Sequence, residues 1–281
     1  MTATRTVLIT GTSTGIGMEA ALQATASGWH VVATMRDVAK ADPLRARAEA
    51  AGFKESLQVR PLDVTDGESI ATCVAGVIAE HGRLDAVVNN AGAGHVGTIE
   101  HQTMDDVRAV LEVNFFGVVA VTQAVLPHLR ASRGRLLTVT SVGGIVGQPF
   151  NEAYCAAKFA VEGFMEALHP VAGSAGVSVS VIEPGAVSSE FVANVGASGV
   201  RVDPEGPYGA ALGAYLERTR ERFATAAQSS EGAAATIVEA LEATAPAFRW
   251  QTSDAARAFV GMKLADVDGS VVTGLTRTWI C

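Results

Sequence analysis

The stretch Thr6-Val7-Leu8-Ile9-Thr10-Gly11-Thr12-Ser13-Thr14-Gly15-Ile16-Gly17 decides the fold of this 281-residue chain. Thr6 to Thr10 is a short aliphatic and β-branched run stopped by glycine, the pattern of a buried strand. The glycine run leads straight into a helical pattern. Strand, glycine turn and helix together make a phosphate-binding layout. Gly11 allows the tight turn, Gly15 lets the backbone approach a pyrophosphate, Gly17 permits close helix packing, and the helix N-terminus offers unpaired N–H groups to an anion. Ile16 lies in the same turn. Ser13 and Thr14 add hydroxyls that either contact phosphate oxygens or cap the helix beginning at Gly15. The spacing is Gly-x-x-x-Gly-x-Gly, not the Gly-x-Gly-x-x-Gly of the standard fingerprint. A turn with no ligand therefore stays open as a reading of these glycines alone.

Outward from this stretch, strand-like runs alternate with helical ones. Strands are predicted near Thr6 to Thr10, Trp29 to Thr34, Leu57 to Leu62, Leu84 to Asn89, Arg135 to Thr140 and Val177 to Glu183. The alternation predicts an α/β fold of the doubly wound Rossmann type: a parallel sheet with helices on both faces and a site beyond the strand C-termini. Length and composition suit one domain over residues 1–281, with a cofactor-binding half to about 140 and a catalytic and substrate-binding part beyond. The chain is 48% hydrophobic and 18% charged, and its formal charge of -8 disfavours nucleic acid as a partner. The N-terminus lacks a hydrophobic signal core, and Phe115 to Leu129 is too short and too interrupted to span a membrane, so it reads as an interior helix. Cys73, Cys155 and Cys281 show neither metal-ligand spacing nor enough cysteines for a disulfide framework, and His95, His101, His128 and His169 form no metal pattern. No metal and no stable membrane insertion are expected, and the setting is cytoplasmic. Lys40, Arg45 and Arg47 read as a solvated helix face, and Gly196 to Gly213, with Pro204 and Pro207, as a mobile segment over a cleft.

The chemistry is concentrated in Tyr154-Cys155-Ala156-Ala157-Lys158. One helical turn brings the Tyr154 phenol beside the Lys158 ammonium. A phenol titrates near ~10, so it exchanges protons near neutrality only where a positive charge favours phenolate, and Lys158 is expected to lower it. Other segments recur at strand ends: Asp63-Val64, Asn89-Asn90-Ala91-Gly92, Ser141 and Pro184-Gly185, with Asn114 in a helix.

Together these motifs resemble the short-chain dehydrogenase/reductase family over most of Thr6 to Val187. The run Ser141-Val142-Gly143-Gly144, Gly147-Gln148-Pro149-Phe150-Asn151 and Tyr154 to Gly163 is most similar to the branch of 17-beta-hydroxysteroid dehydrogenase type 1 and photoreceptor-type retinol dehydrogenases. The resemblance implies hydride transfer between a nicotinamide and a carbonyl or secondary alcohol. Tyr154 would be the proton donor, Ser141 a second donor to the carbonyl oxygen, and Lys158 the group that tunes Tyr154 and holds the nicotinamide ribose. Asn114 would position a water for proton resupply, against the alternative of a buried asparagine satisfying backbone groups. It also implies that Asp63 and Val64 hold the adenine, unless Asp63 caps a helix. Asn90, Ala91, Gly92, Pro184, Gly185 and Val187 would line the cofactor, and Val142, Gly143, Gln148, Pro149 and Asn151 the substrate, with Tyr208 either beside them or on the surface. A homodimer through Phe115 to Leu129 and Ala153 to Leu168 is implied as well, with Phe159, Val161, Phe164 and Leu168 as its apolar stripe.

The end of the second strand, Val31-Val32-Ala33-Thr34-Met35-Arg36-Asp37, bears on the cofactor. A carboxylate there suits the ribose of NAD, and an arginine suits the extra phosphate of NADP. Met35 takes the acidic position and Arg36 follows, so NADP(H) is expected, although a shift of one residue would bring Asp37 to the ribose. The steroid enzymes' histidine and glutamate for the far hydroxyl are missing from Tyr208 to Tyr215 and Thr273 to Trp279. A bulky hydrophobic ketone or aldehyde, whether steroid-, retinoid- or polyketide-like, is the expected substrate. Reduction of a 3-oxoacyl thioester is the alternative, set back by the shortage of basic residues in an acidic chain. A silent cofactor-binding sensor is the alternative of another class.

Overall fold

Six of the strands predicted from sequence form, each within two residues of its expected bounds: β1 Thr6–Thr10, β2 His30–Met35, β3 Leu57–Pro61, β4 Ala86–Asn89, β5 Arg135–Val139 and β6 Ser178–Glu183. The computed structural model describes residues 4–188 and 205–280. Two-residue strands β7 (Val187–Ser188) and β8 (Gln228–Ser229) pair with each other, and a seventh strand of the main sheet, β9 Arg249–Gln251, was not expected. The main sheet is wholly parallel in the order β3-β2-β1-β4-β5-β6-β9. This is the doubly wound arrangement, with the chain reversing direction across the sheet between β1 and β4. β4 starts two residues late because Asp85 is taken up elsewhere: its carboxylate accepts from the Thr6 N–H at 2.8 Å and pairs with Arg83.

Strand residues alternate between two cores. On one face Val7, Ile9, Val31, Ala33 and Val88 pack against α1 (Gly15–Ala26) and α2 (Asp42–Ala50). α8 (Ser230–Glu242) contributes Ala234, Ile237 and Leu241 to the same cluster. On the other face Leu8, Val32, Val87 and Leu136 meet α3 (Gly67–His81), α5 (Gly117–Ser132) and α6 (Glu152–Ser174). Both faces are covered, so the strands carry continuous apolar runs.

Between α4 (Met104–Leu111) and α5 the helix widens into a π turn, Glu112–Phe116, which holds Asn114. Met104–Ser132 taken whole is long and apolar enough to cross a membrane. Its buried residues Val118, Val121, Val125 and Leu129 nevertheless pack in the core, as expected for an interior helix. The glycine-rich segment resolves differently from the expectation. Gly196 to Pro204 lies outside the described residues, while Gly209 to Gly213 opens helix α7 (Gly209–Ala226), because alanine and leucine there outweigh two glycines. α9 (Asp254–Ala265) and α10 (Ser270–Arg277) close the chain.

Candidate active site

At the end of β1 the chain turns through Gly11 at φ +70 and Gly15 at φ +60, conformations that side chains rarely adopt. Gly17 has an ordinary φ but no room. A Cβ there would fall on the Asn90 amide and on the Gly11 carbonyl. Asn90 fixes this turn, donating from Nδ2 to the carbonyls of Thr10 and Gly11, both at 2.9 Å. The Thr10 hydroxyl accepts from the N–H groups of Asn90 and Ala91. Thr14 is the N-cap of α1, yet its side chain makes no capping bond, so the helix end keeps its N–H groups facing outward. A Cβ-free cradle under an uncapped helix start fits a pyrophosphate. Gly17→Ala is expected to weaken dinucleotide binding at least about tenfold and to cost about 1–3 kcal/mol of stability. Cofactor-fluorescence titration and thermal melts read the two effects.

Tyr154 and Lys158 stand one turn apart on α6, below the C-terminal end of β5. The Tyr154 side chain is hydrogen-bonded to that of Ser141. Ser141 in turn accepts from the Gly143 N–H at 3.0 Å, which fixes its rotamer. Lys158 Nζ lies 5.9 Å from the centre of the Tyr154 ring and donates to the Val139 carbonyl at 3.1 Å. Behind it the buried Glu162 accepts from the Thr140 hydroxyl at 2.5 Å. Arg249 then ties Glu162, Glu183 and Glu166 together at 3.3, 3.3 and 2.6 Å.

Burial governs the ionisation of this group. It pushes the Tyr154 phenol up to about 12, with the Ser141 hydrogen bond acting the other way. It pushes the Lys158 ammonium down to about 8, against the attraction of Glu162, and raises the Glu162 carboxyl to about 7. The expected lowering of Tyr154 by Lys158 is therefore corrected: loss of hydration dominates and the Ser141 hydrogen bond is what opposes it. A phenol held near 12 is a proton donor at neutral pH.

These groups open onto a cleft of about 580 Å³. One end is formed by the glycine turn with Met35, Arg36, Lys40, Leu62, Asp63 and Val64, and the middle by Asn90, Ala91, Gly92, Ser141, Tyr154, Lys158, Pro184, Gly185 and Val187. The other end holds Gln148, Asn151, Tyr215, Phe259 and Trp279. A family model for short chain dehydrogenases matches residues 5–198. The chain is a short-chain dehydrogenase/reductase.

Among similar proteins, human retinol dehydrogenase 8 is 36% identical over 284 residues, covering 98% of this chain and 90% of that protein. Rat estradiol 17-beta-dehydrogenase 1 is 38% identical over 270 residues, covering 94% of this chain and 78% of that one. A short-chain dehydrogenase structure from Streptomyces avermitilis superposes with a TM-score of 0.79 at 30% identity, over 99% of both chains. The protein is thus an oxidoreductase, and its glycine cradle fits a pyrophosphate.

In this dehydrogenase every residue expected at the cofactor lines the cleft, from Gly11, Ser13, Thr14, Gly15, Ile16 and Gly17 to Val187. Several roles nevertheless change. Asp37 turns away, because its carboxylate accepts from the Ala39 N–H at 3.0 Å and caps the 3-10 turn Val38–Ala41. Lys40, read from sequence as a solvated residue, stands beside Arg36 in the cleft, whereas Arg47 pairs with Glu19 and Arg45 with Asp42. Asp66, not Asp63, caps α3, and the Asp63 carboxylate accepts from Thr65.

Asn114 is fully buried, and its amide is spent on the backbone. Nδ2 donates to Ala93 O at 2.8 Å and Val110 O at 2.9 Å, and Oδ1 accepts from Ala93 N. The alternative reading of a structural asparagine accounts for its side chain.

On the substrate side Val142, Gln148 and Asn151 line the cleft, while Gly143 and Pro149 do not. Gly143 packs behind Ser141 and Tyr154, and the Pro149 carbonyl accepts from Asn151. Tyr208 is a surface residue bound to Glu100, and its place is taken by Tyr215, whose hydroxyl accepts from Asn151 at 2.6 Å. Val161 is fully buried in the core and leaves the proposed apolar stripe, where Phe159 and Phe116 are exposed. The sequence reading passed over Arg218, Thr219 and Arg222 on α7, although with Tyr215 they fall at helical spacing on one face.

Proposed function

We propose that the protein is an NADP-dependent reductase of the carbonyl group of a bulky hydrophobic substrate, with Tyr154, Ser141 and Lys158 as its catalytic residues. The observation that carries this reading is the Ser141–Tyr154 hydrogen bond on the lining of the cleft, with Lys158 one turn along the same helix. When bound, the nicotinamide supplies hydride to the carbonyl carbon. Negative charge then grows on the carbonyl oxygen. Ser141 donates a hydrogen bond to that oxygen, and Tyr154 delivers its proton to it. Lys158, protonated below about pH 8, favours the phenolate left behind and keeps the ribose side of the cleft cationic. Asn114 holds the Ala93 backbone and the π turn in place beneath them.

Arg36 and Lys40 at one end of the cleft, with Asp37 engaged in its own turn, support NADP over NAD. A phosphate meets two cations there, and a ribose hydroxyl meets no free carboxylate from that loop. The apolar side chains of Val96, Val142, Phe259 and Trp279 support a hydrophobic substrate body. Exposed Phe116, at the end of the π turn that leads into α5, and exposed Phe159 on α6 support a homodimer through this face.

The cofactor choice is tested by measuring kcat/KM with NADPH and NADH. Wild type is expected to prefer NADPH, and Arg36→Ala to lower the NADPH:NADH ratio by about tenfold or more. Equal use of the two cofactors in the wild type would overturn the NADP assignment.

A further inference from the structure

The cleft is cationic in an acidic protein. With a chain charge of -8, the cleft's lining among the described residues holds Arg36, Lys40, Lys158, Arg218 and Arg222 against one carboxylate, Asp63. The first three are accounted for by the cofactor and the catalytic pair. Arg218 and Arg222 are not. They lie four residues apart on α7, on the face that also presents Tyr215 and Thr219 to the cleft.

Both guanidinium groups lie over the ring of Trp279, at 5.7 and 5.8 Å from its centre. Trp279 is itself packed with Phe150, Leu212 and Tyr215. Stacking uses the flat face of a guanidinium and leaves its N–H groups free in the plane. Neither arginine forms an ion pair among the described residues. Two donors at this spot are buried without an acceptor among the described residues, Arg218 Nε and the indole Nε1 of Trp279, whose residue is 7% exposed. Buried donors without acceptors are rare in folded proteins, and these two sit side by side on the wall of a cleft.

Resting on the reductase reading above, we propose that the substrate carries an anionic oxygen group, a carboxylate or a phosphate ester, remote from its reacting carbonyl, and that Arg218, Arg222 and the Trp279 N–H receive it. The apolar side chains between Tyr154 and α7 then hold the hydrophobic body, and the cations hold its charged end. This corrects the view from sequence that basic residues near the cleft are lacking. Arg218 and Arg222 are binding residues for the substrate's far end and take no part in the proton transfer.

Matched substrates test this. A hydrophobic keto acid is compared with its methyl ester, and acetoacetyl coenzyme A with the phosphate-free acetoacetyl-N-acetylcysteamine, each with NADPH and with NADH. The anionic member of one pair is expected to be favoured in kcat/KM by about tenfold or more, mainly through KM. That preference shrinks as salt is raised. The pair that responds tells a carboxylate from a phosphate. In Arg218→Met with Arg222→Met, which keeps apolar stems over Trp279, the ratio within that pair should fall to near one.

Equal use of both members of both pairs, or a preference that survives the double variant, overturns the proposal while leaving the reductase reading intact. Should neither cofactor support turnover, the reductase reading fails instead. Calorimetric binding of the same pairs to wild type and double variant then decides the anion site by the same ratio, and no difference in affinity overturns it.

Discussion

Tyr154→Phe is expected to lower kcat by about 10²–10⁴-fold, with the affinity for NADPH changed by no more than a few-fold. The substitution removes one hydroxyl and keeps the ring, so the packing of Val110, Ala153 and Ala157 around it is preserved. Only the Ser141 hydrogen bond and the transferable proton are lost. The pH dependence separates this account from a merely structural role. With the phenol near 12, Tyr154 stays protonated throughout the neutral range and does not limit reduction there. Lys158, near 8, loses its proton above that value. Reductive kcat/KM is therefore expected to hold at neutral pH and to fall as the pH rises through about 8. In Tyr154→Phe the residual rate should lack that fall. An undiminished kcat in the variant would remove Tyr154 from the mechanism.

Arg249→Met is expected to produce the largest loss of stability, about 3–5 kcal/mol at pH 8, because it strips the cation from buried carboxylates. Glu183 is fully buried and Glu162 nearly so, and Arg249 lies within 3.3 Å of both. The sign of the pH effect follows from the carboxyl of Glu162, raised from 4.5 to about 7. The folded chain then holds that proton more tightly than the unfolded chain does. Its burial costs nothing below about pH 4.5, costs progressively more up to about 7, and is constant above that. The full difference amounts to about 3 kcal/mol. Without Arg249 both carboxyls rise further, so the variant should be close to wild type at pH 5 and far below it at pH 8. Urea unfolding at the two pH values measures this. An equal loss at both would show that packing of the arginine stem, not its charge, is what matters.

The fold was legible where local chemistry is strong. β1, its glycine turn and α1 follow from apolar runs and three glycines, and the site lies where parallel topology puts it, beyond the strand C-termini. What escaped was set by tertiary contacts. β9 has three residues, Arg249-Trp250-Gln251, with no periodicity of its own, and exists because Arg249 and Gln251 engage the carboxylates of β6 and α6. Tyr154 was expected to be lowered by Lys158 because adjacency along a helix is visible in sequence and burial is not. A shift of one residue in register would bring Asp37 to the ribose, and one hydrogen bond to Ala39 decides where it points. Arg218 and Arg222 share a helical face with Tyr215, but only Trp279, far along the chain, makes that face the wall of a cleft.

The most direct test of the central claim follows deuterium from C4 of labelled NADPH into product, with purified protein and a panel of hydrophobic ketones and aldehydes that includes acidic members. The account predicts alcohol products labelled at the carbinol carbon in wild type, and a rate lower by at least about a hundredfold in Tyr154→Phe. Tight NADPH binding with no labelled alcohol from any member of the panel would contradict it and leave a cofactor-binding protein without turnover.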